Sequence, residues 1–184
     1  MSGLEFTDDA AKQLEKLYLT MDVAAQRLET IRHLNLSTGE SVLDVGCGPG
    51  FLCESMAEIV GRGGTVVGID ISADLIARCN RRKASTWISY ETGDATRLKQ
   101  SDSSFDVVVC TQVAEYVADV DRVLSEAFRV LKPNGQFIRN FVSNKKDVSS
   151  NDVIEWHREL ERLNESGRYF FSTNRYIFKA SKSS

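Results

Sequence analysis

The chain of 184 residues carries 23 Lys and Arg against 26 Asp and Glu, giving a net charge of −3 at pH 7, with 42% of residues hydrophobic. That is one domain's worth of chain, long enough for a substantial core. The mixed charge argues against general nucleic-acid affinity. Residues 1–13 (MSGLEFTDDAAKQ) are polar and acidic, unlike a signal or transit peptide, and no apolar run is long enough to span a bilayer. The four cysteines, Cys47, Cys53, Cys79 and Cys110, show no zinc-ligand spacing. They read as small buried residues in a reducing compartment, so a cytoplasmic protein with no metal site is expected.

Positions 8–34 carry helical periodicity in two pieces, with Val23, Leu28 and Ile31 among the apolar positions of the second. Ser37-Thr38-Gly39 breaks the pattern. A first strand is expected over Ser41–Val45, a helix over Phe51–Val60 and a second strand over Thr65–Asp70. Ser72 is a credible N-cap for a helix over Ala73–Lys83. The cations late in that helix, Arg78, Arg81, Arg82 and Lys83, complement its dipole. A third strand is expected over Thr86–Tyr90 and a fourth, nearly continuous in apolar residues, over Phe105–Cys110. Val120, Val123, Leu124, Ala127, Val130 and Leu131 keep one helix face apolar until Pro133-Asn134-Gly135, and Gln136–Val142 is a fifth strand. Alternating strands and helices predict a doubly wound, mostly parallel α/β sheet of about six strands. Ser143–Asn151 reads as a polar linker, Asp152–Glu165 as a helix and residues 168–179 as one long aromatic strand.

The chemistry concentrates in Val42-Leu43-Asp44-Val45-Gly46-Cys47-Gly48-Pro49-Gly50 and in Val66-Val67-Gly68-Ile69-Asp70. An apolar strand ending in an acid and a GxGxG turn, then a helix and a second strand ending in an acid, is a nucleoside-binding βαβ unit. Asp70 lies 20 residues beyond Gly50, the separation expected for an acid that holds both ribose hydroxyls. Three details set this unit apart from a dinucleotide site. Phe51 stands where G-x-G-x-x-G needs its third glycine, and Pro49 removes an N–H that a pyrophosphate would use. Asp44 would repel a pyrophosphate but suits a ligand bearing an ammonium and a sulfonium.

On these segments the chain resembles the class I S-adenosylmethionine-dependent methyltransferases, particularly their ubiquinone/menaquinone-biosynthesis-like small-molecule branch. Val42–Gly50 is similar to the family's first motif, Gly68–Ser72 to its acidic second motif and Gly93-Asp94-Ala95 to its third. Phe105–Val117 resembles its fourth strand and following loop, and Leu131–Phe137 the turn into its fifth. The resemblance covers roughly positions 18 to 142. It implies a single Rossmann-like methyltransferase domain: N-terminal helices over the cofactor (1–36), a cofactor-binding core (37–142) and a shortened substrate-side tail (143–184). Its last strand would be antiparallel beside the fifth, and the family's usual strand six would be missing. That would leave an exposed edge prone to self-association.

The resemblance implies S-adenosylmethionine as cofactor, a small-molecule acceptor, and no nucleic-acid partner or membrane span. Asp44, Gly46, Cys47, Gly48 and Gly50 would form the cofactor turn, with Asp70 on the ribose and Ile71 beside it. Asp94, with the Ala95 N–H, would read the adenine amino group, although a turn residue is the plainer role for Asp94. Gln112 would reach the methionine half of the cofactor. Arg27 could pair with its carboxylate and Tyr18 lies on the covering helices, although an exposed helix arginine is the commoner outcome. Glu115 and Tyr116 sit where an acceptor would enter, as weak catalytic candidates. Two other readings stay open: a shortened, non-catalytic cofactor-binding module, and an NAD-dependent oxidoreductase.

Overall fold

A computed structural model describes residues 8–111, 113, 116–142 and 175–181. Among these residues five α-helices are defined: α1 (Asp8–Tyr18), α2 (Met21–Leu34), α3 (Phe51–Val60), α4 (Ala73–Arg82) and α5 (Val120–Val130). The strands are β1 (Ser41–Val45), β2 (Thr65–Asp70), β3 (Ile88–Thr92), β4 (Phe105–Cys110), β5 (Leu131–Val142) and β6 (Arg175–Ser181). They form one sheet in the order β3-β2-β1-β4-β5-β6. The first five strands are parallel, and β6 runs antiparallel to β5. Strand order reverses between β1 and β4, so a crevice opens there at the carboxyl edge, where open α/β sheets take ligands.

Period-two alternation along the strands divides the core between the sheet's two faces. Val42, Val66, Val107 and Val109 pack with Cys53, Met56, Ala57 and Val60 of α3 and Ile76 and Cys79 of α4. Leu43, Val45, Val108 and Cys110 pack instead with Val123, Ala127 and Val130 of α5. Strands covered on both faces are apolar throughout, which is why β1 and β4 are continuous hydrophobic runs. Two acids interrupt these runs: Asp106 of β4, partly exposed and paired with Lys132, and Asp44 of β1, buried at 1% exposure on the α3 face.

Helix starts follow local chemistry. The Ser72 hydroxyl accepts from the Leu75 N–H at 3.3 Å, and the Asp119 carboxylate accepts from the Arg122 N–H at 2.9 Å.

Several boundaries differ from expectation. β3 begins at Ile88 and ends at Thr92, because its parallel ladder runs from Val66↔Ile88 to Asp70↔Thr92. Trp87 stays outside it, its indole N–H donating to the Ala57 carbonyl. α5 stops at Val130, and the fully buried Leu131 already pairs with Phe105. Pairing resumes only at Val107↔Gln136, so the Pro-Asn-Gly turn forms an irregularity inside β5 rather than its start. Leu28 is 58% exposed, against the inward position expected for it. The inward stripe of α2 runs through Val23, Arg27, Thr30 and Leu34, about one residue round the helix.

The last strand is antiparallel to β5 as expected, from Gln136↔Ser181 to Val142↔Arg175. The linker, the Asp152–Glu165 helix and residues 168–174 of the aromatic strand lie outside the described residues. Among the described residues, no helix is long and apolar enough to cross a membrane.

Candidate functional site

The GxGxG turn leaves β1 at Gly46 and enters α3 at Gly50, and all three glycines have positive φ, between 52° and 77°. They serve different ends. A Cβ on Gly46 would stand 2.1 Å from Val113 Cγ2, and one on Gly50 would stand 2.8 Å from the Tyr90 hydroxyl. A Cβ on Gly48 would meet nothing nearer than the Tyr18 hydroxyl, at 3.9 Å. Gly46 and Gly50 are therefore demanded by packing, whereas Gly48 faces open space.

The turn uses its own amides. The N–H groups of Gly46 and Cys47 both donate to the Ile69 carbonyl, and that of Gly50 donates to the Cys47 carbonyl. Gly48 N–H donates to Asp70 Oδ2 at 2.9 Å, and Pro49 has no N–H. Nothing remains along Gly46–Gly50 to cradle a pyrophosphate, which removes the support for a dinucleotide reading.

Asp70 has a structural role besides the ribose role its spacing suggests. Its carboxylate joins the turn to the end of β2, accepting from Gly48 N–H and, at 2.9 Å, from Ser72 N–H. Each oxygen keeps a further lone pair for a ligand hydroxyl. Ile71 beside it is 73% exposed, an apolar surface next to the acid.

Beneath the turn, Asp44 Oδ2 accepts from the Cys53 thiol at 3.2 Å, while Oδ1 is buried with no hydrogen-bond partner. Burial pushes this carboxyl up to about 7, helped by the nearby Asp70 charge and opposed by the Cys53 hydrogen bond. The same burial raises the Cys53 thiol and pushes Cys79 up to about 12, so both are inert, packed thiols. All four cysteines are buried and free, as expected.

Asp44, Gly46 and Cys47 form one wall of an open cleft; Tyr18, Gln26, Arg27 and Thr30 of the N-terminal helices form the other. Arg27 is half-buried rather than free on the surface: it donates to the Tyr18 carbonyl at 3.2 Å and lies 5.6 Å from the Phe51 ring centroid. Gln26, Thr30 and Thr111 join the cleft although nothing in the sequence singled them out. Polar residues four apart on one helix face were the available signal, and they look the same as a solvated stripe.

Asp94 sits apart from this cleft, past β3. Its Oδ1 accepts from the Thr96 N–H and hydroxyl, both at 2.8 Å, which is the turn role. Gly93 N–H donates to the Asp70 carbonyl, so Asp94 still lies along the same carboxyl edge. Ala95 packs against the α5-side core. Tyr116 is 70% exposed beyond β4, and Gln112 and Glu115 lie outside the described residues.

The covering helices are tied down by charge. Glu15 of α1 receives Arg78 at 2.5 Å and Arg82 at 3.1 Å. Arg82 also reaches Glu54 at 2.9 Å, the Pro49 carbonyl, and the face of Phe51 at 4.2 Å from its centroid. The cations of α4 thus do more than complement its dipole: one guanidinium links α1, α3 and the turn. The Arg78 hydrogen bond and the arginine charges hold the Glu15 carboxyl below its usual range. Its contribution is therefore present above about pH 4.5 and lost as pH falls through the depressed value.

A doubly wound sheet with an acid-flanked glycine turn at its switch point and a helix-covered cleft defines a Rossmann-like architecture suited to a nucleoside ligand. Comparison with known proteins narrows that reading. Residues 36–173 match the family described as "Methyltransferase domain". The match begins later than position 18 and runs past 142 through most of the tail. The chain is 36% identical over 120 residues to a ubiquinone biosynthesis O-methyltransferase of Chelativorans, covering 64% of this chain and 46% of that protein. It is 33% identical over 115 residues to a demethylmenaquinone methyltransferase of Oceanobacillus iheyensis, covering 61% and 48%. It thus spans just under half the length of these relatives. The crystal structure of an S-adenosylmethionine-dependent methyltransferase from Aquifex aeolicus shares the fold, with a TM-score of 0.66 at 19% identity, over 96% of this chain and 98% of that one. The chain belongs to the methyltransferase domain family.

Glu15→Gln is expected to weaken the hold on α1. The partly exposed network is worth about 1 kcal/mol, and S-adenosylmethionine should dissociate several-fold faster, with the difference from wild type shrinking in high salt. Stopped-flow release at two ionic strengths measures this. Identical rates would show that α1 plays no part in retaining the cofactor.

Proposed function

We propose that the chain binds S-adenosylmethionine in the cleft between the GxGxG turn and α2 and transfers its methyl group to a small-molecule acceptor. The observation that carries this reading is Asp44 Oδ1, a buried acceptor without a partner in the wall of that cleft. Leaving such an atom unpaired costs about 1–3 kcal/mol, and a ligand ammonium would satisfy it. In this reading Asp70 holds the ribose hydroxyls while keeping the turn in place, and Ile71 lies against the adenine. Asp94 and the Ala95 N–H read the adenine edge, Gln112 reaches the methionine half, and Arg27 faces the ligand carboxylate beside Tyr18.

When bound, the cofactor supplies a methyl group already activated on a sulfonium. The protein's own part is placement. The preformed turn fixes one end, and α1 and α2 close over it and limit water. Orientation of this kind contributes about 7–11 kcal/mol where nucleophile and leaving group are aligned. The acceptor enters past β4, near Tyr116 and Glu115. A small-molecule acceptor agrees with the names of the quinone-pathway relatives, less than half of whose length this chain matches. Self-association through the β6 edge belongs to the same proposal and is read by sedimentation velocity.

Calorimetry with S-adenosylmethionine, its demethylated product and NAD tests the cofactor. Millimolar concentrations of the first two giving no heat in a folded sample would sink the assignment. A screen of phenolic and quinol acceptors then separates an enzyme from a cofactor-binding module.

Affinity should also depend on pH. Protonated Asp44 favours the fold; that contribution is complete below the free-carboxyl value of 3.8 and lost as pH rises through about 7. The groups around it are the Cys53 and Cys47 thiols and Asp70, with Arg27 across the cleft. An incoming ammonium favours the charged form, so binding expels the proton. Affinity should rise by up to about tenfold per unit toward pH 7, then fall above about 8 as the ligand's α-amino group deprotonates. Calorimetry in buffers of different ionisation enthalpy reads the released proton, and a flat profile would contradict the role of Asp44.

A further inference from the structure

A second orphan acceptor lies in the same cleft. Gln26 of α2 is half-buried, yet its side-chain Oε1 is fully buried and has no hydrogen-bond partner. It lines the cleft with Asp44, whose own unpartnered oxygen is in the opposite wall. Two turns of α2 explain the placement. The stripe facing the sheet begins at Val23 and ends at the fully buried Leu34, and Gln26 lies at its margin, one turn before Thr30. The Thr30 hydroxyl donates to the Gln26 backbone carbonyl at 3.1 Å, which leaves the Gln26 side chain uncommitted. A glutamine fits poorly as mere packing, because a buried amide oxygen left unpaired costs stability that a methionine there would not.

We propose that Gln26 is a specificity-determining residue: with Asp44 it forms a pair of acceptors for the ammonium of the ligand's amino-acid end, so that the cleft selects a nucleoside thioether bearing an α-amino acid over one without it. The inference rests on the cofactor assignment above. An ammonium has three donors, and one carboxylate oxygen answers only one of them. The neutral amide supplies a second acceptor without adding another charge beside Asp44 and Asp70, whose mutual repulsion already opposes ionisation. Arg27, the next residue on α2, is then left for the carboxylate of the same amino-acid group.

The test compares two probes, S-adenosylhomocysteine and 5′-methylthioadenosine, which share the thionucleoside and differ in the amino-acid end. Calorimetry on the full chain gives both affinities for wild type, Gln26→Met and Gln26→Glu. Gln26→Met keeps length and volume and removes the acceptor; it should bind S-adenosylhomocysteine about tenfold more weakly and 5′-methylthioadenosine unchanged. Gln26→Glu keeps an acceptor oxygen and should preserve the preference. Equal losses for both probes in Gln26→Met, or no loss for either, would overturn the proposal, as would loss of preference in Gln26→Glu. Should Gln26→Met fail to fold, the ratio measured in Gln26→Glu decides alone. Wild type binding neither probe would instead bring down the cofactor assignment.

Discussion

Asp70→Ala should lower affinity for S-adenosylmethionine by at least about 100-fold and also make the protein easier to unfold. The ligand loses two charge-assisted hydrogen bonds from its ribose, at about 1.5–3 kcal/mol each. The second effect comes from the protein itself: Gly48 and Ser72 N–H both lose the acceptor that ties the turn to the end of β2. Unfolding by urea should show a loss of about 1–3 kcal/mol. Asp70→Asn, which retains one oxygen, should recover part of both losses. Binding that survives Asp70→Ala within threefold would remove the ribose from this position, whatever happens to stability.

The glycines should separate in the opposite way. Gly46→Ala places a methyl group where Val113 Cγ2 lies 2.1 Å away, at a φ of 74°. Val113 is β-branched and stiff. Overpacking and left-handed strain together cost about 2–5 kcal/mol, so this variant should be poorly folded with or without ligand. Gly48→Val meets no protein atom closer than 3.9 Å at the first added carbon. It should cost about 1–2 kcal/mol of stability through its φ of 52° and keep the secondary structure, while binding becomes unmeasurable because the side chain fills ligand space. Circular dichroism and calorimetry on the two proteins read both arms. Normal binding by Gly48→Val would mean that the open space beside Tyr18 is not the ligand's.

The sequence exposed most clearly those parts of the fold that are set by punctuation. Glycine clusters and Ser72 bracket β1, α3, β2 and the start of α4, and those boundaries agree with the structure. β3 and β5 shifted because a parallel ladder, rather than composition, decides where pairing begins. Asp44 and the glycines stand out because acids and positive-φ residues are costly inside an apolar βαβ unit. Gln26 and Thr30 did not, since a polar residue on a helix carries no mark of which side it faces. Arg78 and Arg82 were misread for a related reason: their partner Glu15 is more than 60 residues away, and only the fold brings it close.

A loop whose amides are answered from within holds its shape before any ligand arrives. Binding then needs little ordering of backbone at this end of the cleft, and the entropy cost falls instead on the side chains of α1 and α2. The division has an evolutionary consequence. The turn can stay constant while the covering helices change, so a lineage of such enzymes can alter cofactor retention or ligand preference by substitutions on α1 and α2 alone, with the glycine scaffold beneath them left untouched.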